Sequence, residues 1–149
     1  MEAPIAETAD ATGIRSPPTA MPFKYTIHPE LNLIRQTLWG RVTAAELRDL
    51  ASSMWADPAY RKKLNILADL RTAEVDIPYD DMMEYTRFLS GNSDIGRQAI
   101  VVGRSLEFGM ARMYEQLTEN NVSRSGLRVF FEIEEAERWL TREDLPGLS

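Results

Sequence analysis

Phe23, Tyr25 and Ile27 alternate with Lys24, Thr26 and His28, the period of two that marks a half-exposed strand. His28-Pro29-Glu30 turns the chain, and Leu31 to Trp39 reads as a second strand that completes an antiparallel hairpin. Gly40 and Arg41 are expected to break it. Thr43 and Glu46 then have the spacing of a capping box. Leu47, Leu50, Ala51, Met54 and Trp55 follow at helical spacing, up to Pro58. Leu64 to Leu70 is a short apolar run that stops on polar and charged residues, as a buried parallel strand does when its carboxyl end opens into a loop. A second helix spans Pro78 to Leu89, with Met82, Tyr85 and Leu89 inward and Gly91 as its stop.

Arg97 to Gly103 is β-branched in its centre and reads as a fourth strand covered on both faces. Ser105 can cap a third helix, where Leu106, Met110, Met113 and Leu117 line one side. Leu127, Val129, Phe131 and Ile133 alternate as a fifth strand. Glu134 and Glu135 open a last helix in favourable register with its dipole, with Ala136, Trp139 and Leu140 inward. The order is ββαβαβαβα. A hairpin followed by repeated crossovers predicts an α/β fold with a mixed, mostly parallel five-stranded sheet and helices packed on it.

Composition narrows the function. At 149 residues the chain suits one domain able to bury a core without staples. Met1 to Pro22, rich in Ala, Thr, Pro and acids and including Pro17-Pro18, has no period and is expected to be a disordered tail before a domain over 23–140, with 141–149 as a second short tail. There is no cysteine, which excludes disulfides and thiolate chemistry and is compatible with a reducing cytoplasm. The net charge of −6 argues against a nucleic-acid or anionic-membrane partner, and no apolar run approaches the ~20 residues of a membrane span. One histidine, His28, leaves little room for a metal site, and Glu132, Glu134, Glu135 and Glu137 have the spacing of an exposed helix start rather than of metal ligands.

Several segments taken in order resemble a known group. They are the hairpin from Phe23, Trp39-Gly40-Arg41-Val42-Thr43 leading into a helix, Asp57-Pro58 after it, and the strand Ile66-Leu67-Ala68-Asp69-Leu70-Arg71. Ala99-Ile100-Val101-Val102, Gly109-Met110-Ala111-Arg112-Met113 and the ending from Val129-Phe130 to Glu135-Ala136-Glu137-Arg138-Trp139-Leu140 add to it. Together, over most of Phe23 to Leu140, these resemble the SpoIIAA-like bacterial proteins of the STAS-like fold. The resemblance implies a small sheet with helices, found in anti-sigma-factor antagonists and in relatives that take small apolar or anionic ligands. In the antagonists an Asp-Ser pair at the end of the central strand carries a regulatory phosphoserine. Here that place reads Asp69-Leu70-Arg71-Thr72, and the serine is missing beside Asp69.

Parallel strands put their carboxyl ends on one edge, where open α/β sheets hold ligands. Arg41, Asp69, Arg71, Thr72, Arg104 and Ser105 should gather there, together with Thr43. Two readings stand side by side. Three arginines near helix amino-termini make an anion site, or Asp69, Glu74 and Asp76 neutralise those arginines and brace the loops. Met82, Met83, Met110 and Met113 similarly read either as an adaptable apolar pocket or as ordinary core. Gly109, inside the third helix, suggests close packing of a helix or a ligand, and Phe108 and Phe130 fall off the expected core stripe.

No nucleophile–base pair, metal cluster or phosphate loop is present, so the expected function is non-enzymatic, with no cofactor. The expectation is a module of SpoIIAA-like type that binds a small ligand, anionic or apolar, at the carboxyl ends of the strands, or a protein partner through its helices. The alternative is a regulatory protein-interaction domain switched by phosphorylation, with Thr72 or Ser105 in place of the serine. A homodimer through an exposed edge or helix is compatible with either.

Overall fold

A computed structural model of the chain describes residues 22–90, 94–119 and 122–141. The expected tails, apart from Pro22 and Thr141, and Gly91 as a helix stop lie outside these residues. Strands β1 (Phe23–His28), β2 (Leu33–Val42), β3 (Asn65–Val75), β4 (Asp94–Val102) and β5 (Ser123–Phe130) form one sheet in the order β1-β2-β3-β4-β5. β1 pairs antiparallel with β2, and the remaining ladders are parallel. Helices α1 (Ala44–Ala56), α2 (Tyr79–Ser90), α3 (Ser105–Thr118) and α4 (Ile133–Thr141) complete the expected ββαβαβαβα order.

Crossovers that step the same way across a sheet with one hand leave their helices on one face. Accordingly α1, α2 and α3 share a face, packing over Ile34, Leu38, Ile66, Ile100 and Val102. Among the described residues the opposite face carries α4 alone, on Leu67, Ala99, Val101 and Phe130. β4 is therefore buried on both faces, as its unbroken apolar centre predicts, and Gln98 to Val102 are all buried. The capping box at α1 is present, with the Thr43 N–H donating to Glu46 Oε1 at 2.6 Å. Among the described residues no helix is long and apolar enough to cross a membrane.

Several local expectations are corrected. β2 does not break at Gly40 and Arg41 but runs through them to Val42, Gly40 taking φ 67°, a conformation open to glycine without a Cβ penalty. Leu31 falls outside the strand, in a short 3-10 turn. β3 does not end at Leu70 but continues to Val75 through a bulge: the register with β2 shifts from Thr37–Asp69 to Trp39–Thr72. The Asp69 carboxylate accepts the Arg71 N–H at 3.1 Å, satisfying a donor that the bulge takes from the ladder.

β5 begins earlier than its apolar alternation, at Ser123, and ends at Phe130; Phe131 is exposed and Ile133 opens α4. Phe130, expected off the core, is buried beneath α4. The buried face of α3 is Glu107, Ala111, Tyr114 and Thr118, one residue on from the expected stripe, and Leu106 is 64% exposed. One residue is about 100° of helix rotation. Glu107 sets it, because its carboxylate is held inside the fold.

Gly109 supports neither close helix packing nor close ligand approach: a Cβ there meets nothing within 4 Å. Replacing Gly109 by alanine should raise stability by about 0.5–1 kcal/mol, since glycine inside a helix costs that much relative to alanine. A urea midpoint equal to or below wild type would contradict this.

Candidate functional site

Between the sheet and α1, α2 and α3 lies a cavity of about 110 Å³. Its floor is Ile66, Ala68 and Leu70 of β3 with Ile100 and Val102 of β4; its walls are Leu50, Ala51, Met54 and Trp55 of α1, Met82, Tyr85 and Leu89 of α2, and Met110, Ala111 and Tyr114 of α3. The space exists because small residues, Ala51, Ala68 and Ala111, meet where three helices converge. An engineered apolar cavity of about 150 Å³ holds benzene, and one of about 15 Å³ holds a water. This cavity stands near the upper of those sizes. Its aromatic wall is built by packing, with ring centroids 5.3 Å apart for Trp55–Phe88 and 6.2 Å for Tyr85–Tyr114.

A few polar groups interrupt the apolar lining, and they separate into two ends. At the carboxyl end of the strands is Glu107, 1% exposed. It accepts from Arg104 Nε at 2.9 Å and Nη2 at 2.7 Å and from the Val75 N–H at 3.1 Å. The Arg104 fork, chiefly, and the Val75 N–H hold its carboxyl below the ordinary glutamate value despite burial. At the other end of α3, Arg124 of β5 lies over the Tyr114 ring. It donates to Gln98 Oε1 at 3.2 Å, Thr118 Oγ1 at 2.8 Å and the Tyr114 hydroxyl at 3.0 Å. The Tyr114 hydroxyl in turn donates to Gln98 Oε1 at 3.4 Å. Tyr85 is 9% exposed and its hydroxyl has no hydrogen-bond partner among the described residues. Burial pushes its phenol well above the usual value, so it stays a protonated donor. Gln36, also buried, donates only to the Met54 thioether, at 3.0 Å.

Arg41, Arg71 and Arg104 lie toward the carboxyl ends of adjacent parallel strands, but each is committed to a carboxylate. Arg41 pairs with Asp76 at 2.5 Å, and Arg71 forks onto Asp69 with both bonds at 2.9 Å. Arg104 takes Glu107, a partner the sequence did not suggest, rather than Glu74. Glu132 and Glu134 also act on Arg71, and Glu74 on Arg104. The pairing of arginines with carboxylates is what the structure shows at this rim. Asp69, Arg71 and Thr72 are strand residues, with Thr72 exposed on β3. Ser105 is the first residue of α3, also exposed, after Arg104 as N-cap. Met82 and Met110 line the cavity, while Met113 packs against the core beside it. Among the described residues no acidic or histidine cluster could hold a metal.

The polar cavity residues Gln36, Gln98, Tyr114 and Glu107, and Arg124 bonded behind them, were not singled out by sequence. A signal was present for two of them: Gln36 lies between Ile34 and Leu38, and Gln98 beside Ala99 and Ile100, at the inward parity of buried strands. A glutamine at such a position has to find a partner or a ligand.

No protein-family profile and no curated protein matches the sequence. The structure is similar to that of an uncharacterised protein of the DUF3478 family with a SpoIIAA-like fold from Shewanella loihica PV-4. The TM-score is 0.55 at 15% identity, covering 86% of this chain and 99% of the other. At that identity the likeness is one of architecture, and the strand and helix order agrees with it: the chain has a SpoIIAA-like α/β fold.

Proposed function

We propose that this domain is a non-enzymatic binding module that takes a small, mainly apolar molecule into the cavity between α1, α2, α3 and the sheet. The observation that carries the reading is a partly open space of about 110 Å³ lined by aliphatic and aromatic side chains with a few polar groups among them, the usual form of a small-molecule site. The apolar alternative is favoured over the anionic one because the rim arginines already have carboxylate partners. A free anion there would compete with bonds already made in each pair. Met54, Met82 and Met110 lend the walls adaptability.

Toluene serves as the probe. Titrated into the labelled protein, it should give saturable shifts of amide resonances at Ala68, Tyr85 and Ala111. Ala68→Leu, which extends a side chain into the space from the floor, should weaken binding at least tenfold and melt no lower than wild type. The absence of saturable shifts in wild type, or equal affinity in Ala68→Leu, would rule the reading out.

A further inference from the structure

The polar end of the cavity is made of donors. Gln98 Oε1 faces Arg124 and the Tyr114 hydroxyl, which fixes the side-chain amide so that its N–H groups are left over. They have no acceptor among the described residues, and Gln98 is 8% exposed. The Tyr85 hydroxyl, as deeply buried, also lacks an acceptor. Both residues line the cavity. The Tyr85 and Tyr114 rings stack with centroids 6.2 Å apart, and the Tyr114 hydroxyl meets Gln98 Oε1 at 3.4 Å and Arg124 Nη2 at 3.0 Å, which brings all of them to one end.

Arg124 is half-buried and bonded only to neutral groups: a glutamine, a threonine and a tyrosine. No carboxylate lies within ion-pair distance of it among the described residues. Its charge offsets the negative end of the α3 dipole, yet this end of the cavity keeps a cation directly behind its lining residues Gln98 and Tyr114, with unused donors and no anion. Glu107, the carboxylate that lines the cavity elsewhere, is seven residues earlier on α3, about 10 Å along the axis. Its oxygens are taken by Arg104 and Val75. Buried donors without acceptors are destabilising, and an occupant that supplies acceptors removes that cost.

We infer that the molecule taken up is a small monocarboxylate with an apolar body, its carboxylate received by the Tyr85 hydroxyl and the Gln98 amide under the charge of Arg124. This rests on the cavity being the binding site. It assigns Tyr85, Gln98 and Arg124 as the residues that set which apolar molecules are held, the apolar body lying over Ala68 between α1 and α2. Charge-assisted hydrogen bonds inside a low-dielectric site distinguish a carboxylate from an alcohol of the same size.

The experiment compares benzoate, benzyl alcohol and toluene by calorimetry at neutral pH, on wild type, Tyr85→Phe and Arg124→Gln. Benzoate should bind wild type at least tenfold more tightly than benzyl alcohol. Tyr85→Phe, which removes one oxygen and leaves the ring packing in place, should lower benzoate affinity at least tenfold while toluene stays within about twofold. Arg124→Gln should act in the same direction; if it fails to fold, Tyr85→Phe decides alone. Toluene binding without preference for benzoate, or an unchanged benzoate affinity in Tyr85→Phe, overturns the carboxylate inference and leaves the cavity reading standing. If none of the three binds, both fall.

Discussion

Gly103→Ala should cost about 3 kcal/mol and lower the melting temperature by roughly 10 °C, a large effect for one methyl group. Gly103 carries the chain from β4 into α3, and a Cβ there would collide with the Arg71 carbonyl oxygen. That oxygen is a backbone atom at the β3 bulge, so no rotamer change relieves the contact, and one strand end must move away from the other. The movement would also displace Arg104, the next residue, and with it the pair to Glu107. Thermal unfolding followed by far-UV circular dichroism measures it. The expected gain from Gly109→Ala, where a Cβ meets open space, makes the pair a test of position rather than of glycine content. A Gly103→Ala protein melting within about two degrees of wild type would mean that β3 and β4 part more easily than their backbone contact implies.

Glu107→Ala is expected to cost about 2–3 kcal/mol. It strands the half-buried Val75 N–H, worth up to about 1–3 kcal/mol when left unsatisfied, and opens a hole in a fully buried position. Arg104 is half-exposed and returns to water, which keeps the loss below that of a pair in which both charges are buried. Glu107→Gln should cost less, because the amide oxygen can still accept from Val75. The pH dependence separates charge from packing. The folded carboxyl is depressed, so its contribution is fully present above the unfolded value, about 4.3, and is lost as pH falls through the lower folded value. Asp69, held low by Arg71, has the same sign. Denaturant midpoints between about pH 5 and 3 should therefore fall more steeply for wild type than for Glu107→Gln, the difference isolating this one group. Parallel curves would show that the Glu107 charge is not what links α3 to β3.

The parts of this fold that hydrophobic period alone decides were legible in the chain. The β1 alternation, the apolar centre of β4, the α1 capping box and the order of elements all follow from residues whose burial matches their polarity. In α3 the reading slipped because polar side chains were doing a buried residue's job. Glu107, Tyr114 and Thr118 rotate the α3 stripe by one position because their partners, Arg104, Val75, Gln98 and Arg124, lie on other segments or are charges that pattern does not weigh. β3 looked finished at Leu70 because the charged residues around it read as loop, whereas they are the bulge, with Asp69 and Arg71 bonded to each other. The rim arginines were found, but the cavity beside them was not, since an empty space is made by the meeting of Ala51, Ala68 and Ala111 from three elements and leaves no local mark.

The strands stand side by side in the order in which they occur in the chain. Each strand after β1 therefore finds a ladder partner already made as synthesis proceeds, and β1 waits only for the next strand of its hairpin. Loop-closure entropy is met in short steps, one hairpin and then one helix at a time. α4 is the exception: it rests on β3, β4 and β5 together, so it can dock only after the rest of the sheet has been laid down.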